Sequence, residues 1–157
     1  MTSVPGDLSG VLAGGFAGYY RGIQKRVHEL VAPLSDEHLW RRPYPYGNSV
    51  GHLLLHITGN LSYYIGTRIA QTGYVRDRPR EFTDPGGRPK AEVLADFDAA
   101  VAMAVATIAR QRPEDWPLPY TAEGEDPCDR FTIVLRCAAH AYHHVGQLVY
   151  LCKQLAL

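Results

Sequence analysis

Cysteine is scarce in this chain and badly placed for covalent or redox work. The three residues, Cys128, Cys137 and Cys152, are an odd number, far apart, and form no CxxC pair. That pattern reads as reduced thiols in a cytoplasmic protein rather than a disulfide framework. Net charge is missing as well: 16 basic and 16 acidic residues cancel when histidine is neutral. No run of basic residues occurs, so neither nucleic acid nor an anionic membrane is expected as a partner, since both need a concentrated basic face. Long apolar runs are absent too. The stretch from Gly10 to Tyr20, about 11 residues, is far short of the roughly 20 that span a bilayer. The N-terminus lacks the basic start, apolar stretch and cleavage site of a signal peptide. What remains has ordinary globular proportions, 46% apolar and 20% charged over 157 residues. One domain covering 1–157 is expected, large enough to bury a core without disulfides.

Helical periodicity is what the chain does have. Four long stretches show apolar residues at steps of three and four, separated by proline and glycine clusters. The first spans about 7–31, with Leu12, Phe16, Tyr19, Ile23, Val27 and Leu30 on one face. Gly10, Gly14, Gly18 and Gly22 form a second stripe. Glycine costs about 1 kcal/mol in a helix interior, so the stripe predicts a backbone packed very close, inside the bundle or across a dimer contact. The second helix is expected over about 49–72, opened by Asn48 or Ser49 as N-cap. The third is expected over about 89–111, behind Pro89, and the fourth over about 129–154. A long connection, 74–88, joins the second and third helices and is expected to lie across one end of the bundle. A second one, 113–127, carries Trp116 and the acidic Glu123–Asp126 turn. Together these elements predict an all-α four-helix bundle with a long crossover loop.

Histidine is the residue type in excess. Seven histidines in this length predict about 0.3 pairs at i, i+4 by chance, yet two occur, His52/His56 and His140/His144. In the fourth helix, Ile133, Cys137, His140, His144, Leu148, Leu151 and Leu155 fall at steps of 4, 3, 4, 4, 3 and 4. Both of its histidines thus lie on the core-facing seam. Imidazoles at i and i+4 stack on one face and can share a single divalent ion, with a third ligand supplied by a facing helix. Either His52 or His56 can be that ligand. If both bind, the fourth corner is closed to substrate. Carboxylates are informative by absence. The second and fourth helices contain no internal Asp or Glu, which excludes a di-iron carboxylate bundle and a His-Glu-x-x-His protease site.

Two segments resemble a known family. Gly47-Asn48-Ser49-Val50-Gly51-His52-Leu53-Leu54-Leu55-His56-Ile57-Thr58-Gly59-Asn60-Leu61 is followed by Arg76-Asp77-Arg78-Pro79-Arg80-Glu81-Phe82. Near the C-terminus stands His140-Ala141-Tyr142-His143-His144-Val145-Gly146-Gln147-Leu148. These resemble the DinB/YfiT-like metal-dependent enzymes over about residues 10–155. The resemblance implies a four-helix bundle of that topology. By position it assigns the metal ligands to His56, His140 and His144, with His56 preferred over His52 for its Leu-His-Ile context. It implies a divalent ion, zinc or nickel, and a small-molecule substrate. It also implies chemistry of the thiol-transferase or hydrolase kind, with a low-molecular-weight thiol as co-substrate in the first case, and weakly a homodimer. Where relatives carry an acidic residue soon after the first histidine, this chain has Asn60. Asn60, Tyr63, Tyr64, Tyr142 and Gln147 are the polar residues expected to orient a substrate. Arg78 and Arg80 of the crossover loop are candidates for holding a carboxylate.

Overall fold

Helix α1, Leu8–Val31, opens the computed structural model, which describes residues 8–156. The expected start at residue 7 lies outside that range. A one-and-a-half-turn helix α2, Asp36–Trp40, follows with Ser35 as N-cap. Helix α3, Val50–Leu61, then runs without a break into a π-helical segment, Ser62–Thr67. The crossover connection contains a single turn of helix, α4, Arg80–Thr83, before α5, Lys90–Ala109. The chain closes with two short antiparallel strands, β1 (Pro119–Tyr120) and β2 (Cys128–Asp129), and helix α6, Arg130–Leu155. The expected four long helices are present at close to their expected bounds. Helix α2, the α4 turn, the π segment and the strand pair are additions.

Helix α1 packs on α5 and α6, and so does α3. The pairs α1/α3 and α5/α6 therefore occupy opposite corners of the bundle. Tyr20, Val27, Leu54, Ile57, Phe97, Ile108, Ile133 and Leu148 fill the space between them, all at most 1% exposed. On α1 the buried face is Tyr20, Ile23, Val27 and Val31, whereas Tyr19, expected on that face, is 43% exposed; burial rather than propensity holds these helices in place. Among the described residues no helix is long and apolar enough to cross a membrane.

Of the two readings of the glycine stripe, close packing inside the bundle is not met. A Cβ placed at Gly14, Gly18 or Gly22 would meet nothing within 4 Å. The stripe is on the outer surface of α1, so no backbone of this chain packs on it at these positions.

Candidate metal centre

Ser49 sets the register of α3. Its Oγ accepts from the His52 backbone N–H at 3.2 Å, while its own N–H and hydroxyl reach back to His52 Nδ1 at 3.3 and 2.7 Å. This reciprocal cap is a capping box with histidine in the place usually held by Glu or Gln. His52 Nε2–H donates to the carbonyl of Asp84 at 2.9 Å. Both ring nitrogens are thus committed, and His52 latches the crossover loop to α3. It does not join the other histidines, so the closed four-histidine arrangement is set aside.

One turn further on, His56 faces α6. Its Nε2 lies 3.1 Å from His140 Nε2, which lies 3.1 Å from His144 Nε2. The three donor atoms form one cluster within 4.8 Å. The other ring nitrogens of His56 and His144 are held. His56 Nδ1–H donates to Glu81 Oε2 at 2.7 Å, and His144 Nδ1–H donates to Gln147 Oε1 at 2.7 Å. Because a carboxylate and an amide oxygen only accept, each of these rings carries its proton on Nδ1 and turns a bare Nε2 lone pair inward. His140 Nε2 can supply at most one proton between them. Three imidazole nitrogens with so few protons repel one another unless a cation sits among them. Nitrogens about 2.0–2.1 Å from a common ion and 3.1 Å apart subtend about 100° at it, close to the tetrahedral value. The donor set therefore fits a divalent ion of the kind that neutral imidazoles bind.

Electrostatics favours the ligand form of these rings. Burial, followed by the neighbouring His144 and His56, lowers the His140 pKa to about 4. Burial also lowers that of His144, partly opposed by its bond to Gln147. His140 and His144 are thus neutral at pH 7 and need lose no proton to bind a metal.

Glu81 is the residue that sequence reasoning missed. It sits on the α4 turn, buried with its side chain only 6% exposed, and it lies against α3 where Gly59 leaves room. A Cβ at Gly59 would fall on the Glu81 carboxylate. Besides His56, the carboxylate accepts from Arg76 Nε at 2.7 Å and Nη2 at 2.9 Å. Burial alone would raise the Glu81 pKa. The bonds from His56 and Arg76 outweigh it and hold the group ionised, below the usual carboxylate range. The arrangement is a carboxylate–histidine pair behind a metal site, which fixes ring orientation and raises ligand basicity. The signal is the acid of Arg76-Asp77-Arg78-Pro79-Arg80-Glu81-Phe82, but nothing in that segment alone says that Glu81 folds back on His56.

A cleft of about 1010 Å³ opens from His56 and His140. Helix α3 and its π extension supply Asn60, Tyr63, Tyr64 and Thr67, and α6 supplies Cys137, Arg136 and Ile133. The remaining walls are the crossover segment 74–76 with Arg78 and Pro79, and the turn Glu123–Glu125. Of the residues expected to orient a substrate, Asn60, Tyr63 and Tyr64 line this cleft. Gln147 stands behind His144 instead. Tyr142 is 58% exposed on the outer face of α6, its ring 5.8 Å from that of Tyr19 on α1. Of the two loop arginines, Arg78 lines the cleft, whereas Arg80 pairs with Asp84 at 3.6 Å and borders a separate groove. Cys137 is buried, and burial pushes its thiol pKa well up, so it is a neutral wall of the cleft and no nucleophile.

The bundle, its crossover and the three-histidine cluster define a class, and comparison with known proteins gives the class its name. The sequence profile of the DinB superfamily matches residues 19–148, and the chain belongs to that superfamily. Two solved structures share the fold. A conserved protein from Enterococcus faecalis superposes with a TM-score of 0.74 at 18% identity, covering 89% of this chain and 94% of that one. A DinB-like protein from Bacillus cereus gives a TM-score of 0.69 at 16% identity, with 90% and 91% covered. No curated protein matches significantly.

Proposed function

We propose that this protein is a metal-dependent enzyme in which His56, His140 and His144 hold one divalent ion, zinc or nickel. The reaction is attack by an activated thiol, or less favourably water, on an electrophilic small molecule. A single observation carries the reading: three Nε2 atoms cluster beside an open cleft, that of His140 lying 3.1 Å from each of the other two, with the rings of His56 and His144 oriented from behind by Glu81 and Gln147. Such an ion supplies a lowered pKa for whatever ligand occupies its open side, making a nucleophile at neutral pH. The protein's own groups do the rest. Glu81 and Gln147 keep the imidazole tautomers fixed. Asn60, Tyr63 and Tyr64 bound the space in which the substrate lies. The walls of the cleft on α3 and α6 limit the water around it.

Thiol is favoured over water because water attack calls for a nearby base. Glu81 is the carboxylate in contact with the histidines, and both of its oxygens are engaged by His56 and Arg76. A cytoplasmic setting accords with the three free cysteines. The test is cobalt substitution followed by titration with 2-mercaptoethanol. A new sulfur-to-cobalt charge-transfer band, absent in His140→Ala, supports the reading. Full cobalt loading with no band at any thiol concentration contradicts the thiol assignment and leaves hydrolysis.

We also propose a homodimer, assembled through the outer face of α1 and the exposed side of α6.

A further inference from the structure

The charge left over at the histidine end of the cleft has one sign. Glu81 and Arg76 neutralise each other, side chain to side chain, with less than a tenth of either exposed. Arg136, one turn before His140 on α6, pairs with Glu125 at 3.3 Å. Arg78 has no ion pair among the described residues. Its guanidinium lies over the Phe82 ring at 5.6 Å, and that ring lies 4.7 Å from the His56 imidazole. An uncompensated cation therefore borders the cleft beside the metal ligands. The unpaired acid of the cleft, Glu123, belongs to the other end, where its backbone meets the hydroxyls of Tyr63 and Tyr64, about two helical turns from His56.

A second observation points to a ligand at the same place. Asn60, one turn above His56, is only 7% exposed and lines the cleft, yet its Oδ1 is buried with no hydrogen-bond partner. No group among the described residues satisfies that oxygen, and Asn60 borders the cleft, so a donor entering from the cleft is the nearest source of a partner for its amide.

We propose that the substrate or co-substrate is an anionic small molecule. Its carboxylate, or a like group, is held by Arg78 within a few bonds of the atom delivered to the three histidines, and a hydrogen-bonding group of the same molecule meets Asn60. The inference rests on the metal-centred reading above and adds the chemical class. Arginine suits the role because its planar fork bonds a carboxylate through two N–H groups. The Phe82 ring, with the guanidinium 5.6 Å from its centroid, supports the Arg78 fork at the border of the cleft.

The test is calorimetric titration of the zinc-loaded protein with three thiols that differ in the charge of the tail: 3-mercaptopropionate, 2-mercaptoethanol and 2-mercaptoethylamine. Propionate serves as a probe that has no thiol. Each is measured on the wild type, Arg78→Gln and Arg78→Lys, with zinc content confirmed in all three. Comparing each thiol between wild type and variant cancels its intrinsic affinity for zinc. The expected result is an affinity for 3-mercaptopropionate that falls about tenfold in Arg78→Gln, the loss of one charge-assisted contact, and recovers in part in Arg78→Lys. Mercaptoethanol should be unaffected, and mercaptoethylamine should bind no worse. An unchanged mercaptopropionate affinity in Arg78→Gln overturns the proposal. If propionate binds in an Arg78-dependent way while no thiol binds, the thiol assignment fails and the anionic class stands. If neither propionate nor any thiol binds zinc-loaded wild type, both fall.

Discussion

A single buried carboxylate decides how His56 presents itself. Glu81 fixes the His56 tautomer, neutralises Arg76 and occupies the space that Gly59 leaves open. Glu81→Gln keeps an acceptor for His56 Nδ1–H but removes the charge. Zinc affinity is expected to fall by about 10- to 100-fold, as measured by competition with a chromophoric chelator. The same change leaves Arg76 buried without its partner, at a cost of about 3–5 kcal/mol in stability, which urea unfolding would read. A loss of stability with unchanged zinc affinity would reduce Glu81 to a structural ion pair. The histidines also predict a pH dependence in the metal-free protein. An unfolded imidazole titrates near 6.5, and His140 in the folded state near 4. Between those values the unfolded chain binds more protons than the native one. The stability present above pH 6.5 is therefore lost as pH falls through 6.5 toward 4, and His144 acts in the same direction. Glu81, lowered from its ordinary value, adds its own loss below about 4.5. Urea midpoints at pH 7.5, 6.0 and 5.0 should decline for the metal-free wild type and decline less for His140→Gln.

At the scale of elements, the two histidine-bearing helices and the presence of a long crossover are legible in the sequence, and the contacts of the crossover are not. The 3.6-residue period carries α3 and α6 because each buries one continuous seam, and the i, i+4 step of His140 and His144 is a local fact of that period. The rest depends on contacts made far along the chain. His56 and Glu81 are 25 residues apart, joined only because α4 folds back on α3. His52 reads in the sequence as a rival ligand because its spacing from His56 is the same as that of His140 from His144. Its engagement by Ser49 and Asp84 is visible only in three dimensions. The π segment of Ser62–Thr67 and the two-residue strands leave no periodic trace either. His52 now has an element-level role, since it ties down the loop that delivers Glu81. His52→Leu should weaken zinc binding although it removes no ligand, and amide exchange should rise in the segment 80–84 before it rises in α3. Uniform exchange with full zinc affinity would show that the latch is idle.

As a whole, the molecule is a bundle with the three-histidine cluster at one cleft and exposed apolar side chains elsewhere. On α1, Val11 is 68% exposed and the glycine positions are open, and on α6, Leu135, Tyr142 and Tyr150 are 49%, 58% and 75% exposed, with the Tyr142 ring 5.8 Å from that of Tyr19 on α1. The glycines give a shallow groove and the tyrosines give projections, a pairing that a twofold axis can satisfy. Light scattering is expected to give the mass of two chains for the wild type and of one for Gly18→Arg, with helical content unchanged. A monomeric wild type at micromolar concentration would contradict the dimer.

The central claim is the ion. Elemental analysis of untagged protein, beside a His140→Ala/His144→Ala variant of matched helical content, tests it most directly. About one zinc or nickel per chain, lost in the variant, is the predicted result. No metal in the wild type, even after incubation with zinc, would contradict the account and leave three histidines that merely pack.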